Sequence, residues 1–314
     1  MLVRALVSQP RIIVPGATHF VTRRTIRRHH LFAPNDPRMQ QLFLYALAVA
    51  ADRYDVLVHL AVLMSDHEHL TLTDVLGRLP EFLQFFHRIV ALSTKALRKW
   101  EGPVWDHEKP SVVELLTPQA VVEKIAYGIA NPAAAGLVRR GEEWPGVMTR
   151  VDELGRAVWR IERPSFFFDP KNESWPDVAE LRITMPGAAA ELGTPEEFRA
   201  LVRAEVERLE AEARVELERK GWAVLGVDRC RKLSPFERAR SQEPLRSLNP
   251  TFAVGRGRRE ERLAAVARVR AFRADYRVAL GSWRAGERSV SFPPGTWLMR
   301  VHHAARVAHL AAAA

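Results

Sequence analysis

Cysteine is almost missing from this chain: Cys230 is the single one among 314 residues. An internal disulfide cannot form, and the clustered cysteines of structural zinc sites are out of reach. Long apolar runs are missing too. The longest, Leu42 to Ala51, falls far short of the ~20 residues that cross a bilayer. Arg4 and Arg11 break the apolar N-terminal stretch, which is unlike a secretory leader. The sequence has no glycine-rich phosphate loop, no internal repeat and no low-complexity tract beyond its terminal alanines. These absences point to a cytoplasmic protein with no membrane partner. What is present is 47% hydrophobic and 27% charged residues, enough apolar surface to exclude a disordered chain. The formal net charge of +10 raises nucleic acid as a partner.

The first half alternates strand-like and helix-like segments. Thr18 to Ile26 mixes β-branched and polar residues, and Asp36-Pro37 supplies an N-cap and a first-turn proline. Met39, Leu42, Phe43, Ala46, Leu47 and Ala50 then recur at helical spacing. Val56 to Met64 reads as a strand, Ser65-Asp66 as a turn and His67 to Thr73 as the returning strand of a hairpin. Phe82, Phe86, Ile89, Ser93 and Leu97 mark a helix from Leu79 to Trp100. Ser111 to Leu116 is a further strand, and Thr117-Pro118 opens a helix that Pro132 is expected to stop. Beyond Pro164 the character changes. Thr194-Pro195-Glu196-Glu197 is a capping box, and long arginine- and glutamate-rich helices follow, one of them spanning Arg259 to Leu280. The expected fold is α+β: an antiparallel sheet of ferredoxin-like order with helices on one face and the chemistry on the other, followed by a mainly helical region. The expected division is a catalytic domain of residues 1–163 and a basic C-terminal domain of residues 164–314.

One compact constellation carries chemistry. Strand alternation points His67 and His69 to the same face, where two imidazoles can share a divalent cation, with Glu68 on the other face. Tyr127 and Asn131, spaced i and i+4, share one face of their helix. Asn131 offers an amide oxygen as a third metal ligand. Tyr127 offers a phenol that can attack phosphorus and conserve the energy of a broken phosphodiester in a covalent link. Both residues also have plainer roles, the packing of a half-buried ring and the helix stop of an Asn-Pro pair.

Taken together, GATHFVTRR (Gly16 to Arg24), VLMSDHEHLTLTD (Val62 to Asp74), GPVW (Gly102 to Trp105), YGIANPAAAGLV (Tyr127 to Val138) and Trp144-Pro145 resemble, in order and spacing, the REP-associated tyrosine transposases, which belong to the single-tyrosine HUH transposases. The likeness covers roughly the first half of the chain. It implies an HUH fold in which His67 and His69, with Asn131, bind Mg²⁺ or Mn²⁺. It also implies that Tyr127 is the nucleophile toward single-stranded or hairpin, repeat-associated DNA. Such a protein needs no ATP, works at the nucleoid, and is a monomer or a homodimer. Three features depart from the family pattern. Glu68 stands where a hydrophobic residue is usual, Ala133 and Ala134 replace a valine and an arginine, and Asp106 and Glu108 follow Trp105.

Arg23, Arg24, Arg27 and Arg28 form an acid-free cluster suited to phosphate contacts, and Lys124 joins them as a candidate DNA contact. Basic residues between Arg229 and Arg259, Arg246 among them, read mainly as solvated surface. His19, His59, His87 and His107 read as packing or surface residues, and Cys230 as a reduced structural one. Two other functions remain open: a DNA-hairpin-binding host protein of the same fold with relaxed chemistry, and a metal-dependent nuclease that uses water.

Overall fold

The computed structural model describes residues 10–240 and 250–309; Arg4, Arg246 and the terminal alanines lie outside them. The first half is a βαββαβ unit. Strand β1 (Ala17–Arg24) leads through a short 3-10 turn to helix α1 (Pro37–Tyr54), hairpin β2 (Val56–Leu63) and β3 (His67–Asp74), helix α2 (Leu79–Arg98) and strand β4 (Ser111–Leu115). The strands lie in the order β2-β3-β1-β4, which is the expected ferredoxin-like order. The helix starts obey local chemistry: Asp36 accepts a hydrogen bond from the Arg38 amide, and Thr117 does the same for Ala120 at the start of α3 (Pro118–Ala134).

Alternation along β3 sorts its residues onto two layers. Glu68, Leu70 and Leu72 face α1 and α2, whose Phe43 and Phe86 meet edge to face in a fully buried core. Burying each such ring contributes about 1.5–3 kcal/mol. His67, His69 and Thr71 face the opposite side, where α3 lies against the sheet. Gly128 allows that approach: a Cβ there would sit 2.4 Å from Leu60 Cδ2.

Two expectations need correction. Pro132 does not stop α3, which runs to Ala134. The proline removes one hydrogen bond, to the carbonyl four residues back, and so near the helix end that loss is small. The sheet is not wholly antiparallel, because strand β7 (Phe252–Ala253) pairs parallel with β4. The region beyond Arg163 is mainly helical, as expected, and around its start β5 (Val158–Glu162) and β6 (Val178–Arg182) form an antiparallel pair packed on α1. Arg163 lies in the connection of that pair. One hydrophobic core continues across it, from Phe20 and Ile125 to Leu181, Phe198, Val202 and Cys230.

Helix α4 (Pro195–Arg219) begins at the expected capping box of Thr194 with Glu197 and packs along α3. The short helix α5 (Val227–Arg231) buries Cys230, whose thiol burial pushes up to about 11. After β7 comes α6 (Arg259–Arg284), then the small parallel pair β8 (Ser291–Phe292) and β9 (Arg306–Val307), with helix α7 (Leu298–His303) between them. The apolar residues of the two long helices are only partly buried: Phe198, Val202 and Leu217 are covered in α4 and Phe272 in α6, whereas Leu201 and Leu263 face solvent. Among the described residues no helix is long and apolar enough to cross a membrane.

Two buried histidines set an acid limit on stability. Burial, aided by Arg11 and Arg268, lowers the His19 pKa to about 4. Burial also lowers that of His59 to about 4, against the pull of its bond to the Thr184 carbonyl. The unfolded chain therefore binds these protons first, and stability falls as the pH drops from ~6.5 through 4, by about 3 kcal/mol for each histidine. Urea denaturation at pH 7, 5 and 4 should show this loss, and His59→Gln should remove part of its pH dependence.

Candidate metal and nucleophile site

The turn between β2 and β3 places Asp66 directly before the two imidazoles. His67 donates Nδ1–H to Asp66 Oδ1 at 2.7 Å, and Arg28 Nε donates to Asp66 Oδ2 at 2.9 Å. Burial works against the Asp66 carboxylate, but its contacts with the His67 ring and the Arg28 guanidinium outweigh it and hold its pKa below the usual range. Arg27 and Arg28 both adopt positive φ, of 48° and 57°, which costs on the order of 1 kcal/mol or more apiece in a non-glycine residue. The backbone bond from His29 to Ile26 and the Arg28–Asp66 pair hold this turn in place.

Across the sheet, Thr22 pairs in register with His69, and its hydroxyl bonds the His69 Nδ1 at 2.9 Å. Both rings thus have Nδ1 engaged and turn Nε2 inward. The two Nε2 atoms are 3.1 Å apart, and His67 Nε2 is 3.1 Å from Asn131 Oδ1. Burial and the neighbouring His67 hold the His69 pKa well below the ordinary value, so the His69 ring is neutral at physiological pH. With a proton on each Nδ1, three acceptor atoms face one another, an arrangement that a cation relieves. Their spacing also suits one: neighbouring ligands of an octahedral ion with bonds near 2.1 Å lie about 3 Å apart. Among the described residues no group of three or more His, Cys, Asp or Glu forms a metal site. A third donor available beside the two imidazoles is the Asn131 amide oxygen, and Asp66 lies behind His67 as a carboxylate that fixes its tautomer.

Helix α3 brings Lys124, Tyr127 and Asn131 to this face at i, i+3 and i+7. The Tyr127 ring stands edge-on to His69, with centroids 5.5 Å apart, and to Phe20 at 5.9 Å, while Phe20 stacks on His69 at 5.3 Å. Lys124 Nζ lies 5.3 Å from the Tyr127 ring and 5.6 Å from that of Phe20. Tyr127 remains 36% exposed, so the phenol stands at the mouth of a site whose His69 is buried.

The chain is similar to a REP-associated tyrosine transposase. That solved structure, described as bound to a REP hairpin, aligns with 54% of this chain and 96% of its own at a TM-score of 0.41 and 15% identity. No protein-family model matches the sequence, and no curated protein matches it.

The basic cluster of β1 divides between the two faces. Arg24 pairs in register with His67 and lies on the imidazole side, and Arg28 supports Asp66. Arg27 is exposed, its amide near Asp106. Arg23 does not join them: it pairs in register with Glu68, and its guanidinium lies over the Trp105 ring at 4.8 Å. Glu68 is fully buried and accepts a hydrogen bond from His87 Nε2 on α2. Burial lowers the His87 pKa against the opposing pull of Glu68. Glu68 Oε2 and Arg23 Nε are buried without a hydrogen-bond partner among the described residues.

Asp66, Thr22, Phe20 and His87 were missed as members of this assembly. Asp66 had a signal, an acid immediately before the first imidazole, where a carboxylate can reach Nδ1. Thr22 and Phe20 become visible only once the β1–β3 register is known.

Proposed function

We propose that the protein is a metal-dependent DNA strand transferase that cleaves and rejoins single-stranded or hairpin DNA with Tyr127 as nucleophile. The observation that carries this reading is that one helix, α3, sets a partly exposed tyrosine and an amide oxygen against a converging imidazole pair. In the forward step the Tyr127 oxygen, its proton given up to solvent, attacks phosphorus. The bond from phosphorus to the 3′-oxygen breaks, that oxygen takes a proton, and the DNA stays joined through its 5′-phosphate to the phenol. Attack by another 3′-hydroxyl reverses the step and rejoins strands. His67, His69 and Asn131 would hold Mg²⁺ or Mn²⁺, which supplies Lewis-acid stabilisation of the charge on the non-bridging oxygens. Asp66 and Thr22 keep both imidazoles in the ligating tautomer. Lys124 adds positive charge beside the phosphate, and Arg24 lies on the same face.

Glu68, the acid that departs from the family pattern, has a partner in His87 on α2, which favours the catalytic reading over the relaxed one. The test uses a 3′-labelled single-stranded hairpin with Mn²⁺. A denaturation-resistant labelled adduct is expected with the wild-type protein, falling at least ~10³-fold in Tyr127→Phe. Cleavage that survives the substitution makes water the nucleophile, and binding without cleavage leaves a DNA-binding protein.

A further inference from the structure

Helix α6 contains 26 residues and a one-sided distribution of charge. At 3.6 residues per turn, Arg259, Arg262, Arg270, Arg273, Arg277 and Arg284 fall within roughly 80° of arc. The three acids of the helix, Glu260, Glu261 and Asp275, project from the opposite half. Five of the six arginines are exposed and Arg273 is half-buried. None has an ion-pair partner among the described residues, whereas Arg258 and Arg268, off this line, pair with Glu261 and Glu114. The contrast with α4 is direct. There Arg199, Arg203, Arg208 and Arg219 each pair with a carboxylate. Like charges one turn apart on a helix destabilise it by a few tenths of a kcal/mol per pair, so an uncompensated row of six works against the fold until a polyanion meets it.

We propose that this row grips the sugar-phosphate backbone of a DNA duplex. From Arg259 to Arg284 the helix rises about 37 Å, close to one turn of B-form DNA. A single strand fits less well, because single-strand binders add aromatic side chains for base stacking and the row contains none. A lipid surface fits less well too. An interfacial helix needs a broad face of large apolar side chains; Phe272 of α6 is buried against the protein, and Leu263 and Val278 are the only large apolar residues of this helix that stand exposed. Duplex binding stands on this observation alone; identifying the duplex as the paired stem of a hairpin substrate rests on the strand-transferase reading.

The experiment measures anisotropy of a labelled 20-bp duplex between 50 and 300 mM KCl. It compares the full-length protein with Arg262→Gln/Arg270→Gln/Arg277→Gln and with Arg160→Gln/Arg182→Gln/Arg203→Gln, which removes the same charge elsewhere. Each phosphate contact adds about 0.9 to the slope of log K against log salt, so the α6 variant should lose about 3 from that slope and bind roughly 30- to 500-fold more weakly at 0.1 M. The control should change by less than about threefold. Lysine at the same three α6 positions should restore most of the slope. Circular dichroism should show the glutamine variant melting no lower than wild type, because repulsion has been relieved. Equal losses in the two glutamine variants, or a loss confined to phosphatidylglycerol vesicles, would overturn the proposal. The α6 variant should still form the Tyr127 adduct on a short unpaired strand. Absence of that adduct in the wild type would sink the strand-transferase reading and leave the duplex grip standing.

Discussion

Removing the His87 imidazole alone, as in His87→Leu, is expected to lower stability by about 3–5 kcal/mol, and replacing both members of the pair, in Glu68→Val/His87→Leu, to recover most of it. The first change leaves Glu68, fully buried, with an unpaired carboxylate behind the imidazole strand. Breaking a buried pair costs that much because the remaining group has lost both water and partner. The second change puts two apolar residues into an apolar layer, which is often neutral or favourable. Recovery should stop about 1–2 kcal/mol short of wild type, since Arg23 pairs in register with Glu68 and loses a nearby counter-charge. Guanidinium denaturation of the four proteins of this cycle reads the coupling directly. A His87→Leu cost below ~1 kcal/mol would mean that Glu68 finds other relief.

Gly141→Ala should be as severe, for a steric reason. A Cβ at Gly141 would sit 1.8 Å from the Ile129 carbonyl oxygen, a backbone atom in the middle of α3. Neither side can give easily: the Gly141 amide is bonded to Glu210 Oε1 of α4 at 2.7 Å, and α3 is packed between α4 and the sheet. We expect a loss of at least about 3 kcal/mol, at the upper end for an overpacked site. We also expect a fall of tenfold or more in adduct formation, because Asn131 is two residues beyond Ile129 and moves with it. Gly281→Ala is the matching control. That glycine is in a helix with open space around it, so alanine should raise stability by up to about 1 kcal/mol.

Much of the fold was legible because its punctuation is local. Asp36-Pro37, Thr117-Pro118 and the Thr194 box each name a helix start, and the structure begins α1, α3 and α4 there. The candidate site was legible for the same reason: period 2 aligns His67 with His69, and period 3.6 aligns Tyr127 with Asn131. What stayed hidden depends on partners distant in sequence. Glu68 looked anomalous because His87 is 19 positions away on another element. The arginines of β1 looked like one cluster because charge runs carry no information on face, whereas strand alternation sends Arg23 and Arg24 to opposite sides. Pro132 looked like a helix stop because a proline's local preference was weighed without the sheet and α4, which hold α3 on either side. The two residues of β7 are too few to show a pattern at all.

That short strand has a consequence for assembly. The amides of Glu114 in β4 and of Leu116 just beyond it donate to the Thr251 and Ala253 carbonyls, and the Thr117 hydroxyl that caps α3 bonds to the Val254 carbonyl, 137 positions away. On a ribosome adding 5–20 residues per second, the first half of the chain waits on the order of ten seconds for the segment that completes it. Until then β4 is a bare outer strand, able to anneal with another nascent chain. The emerging polypeptide is thus most prone to aggregate just before residue 254 is made.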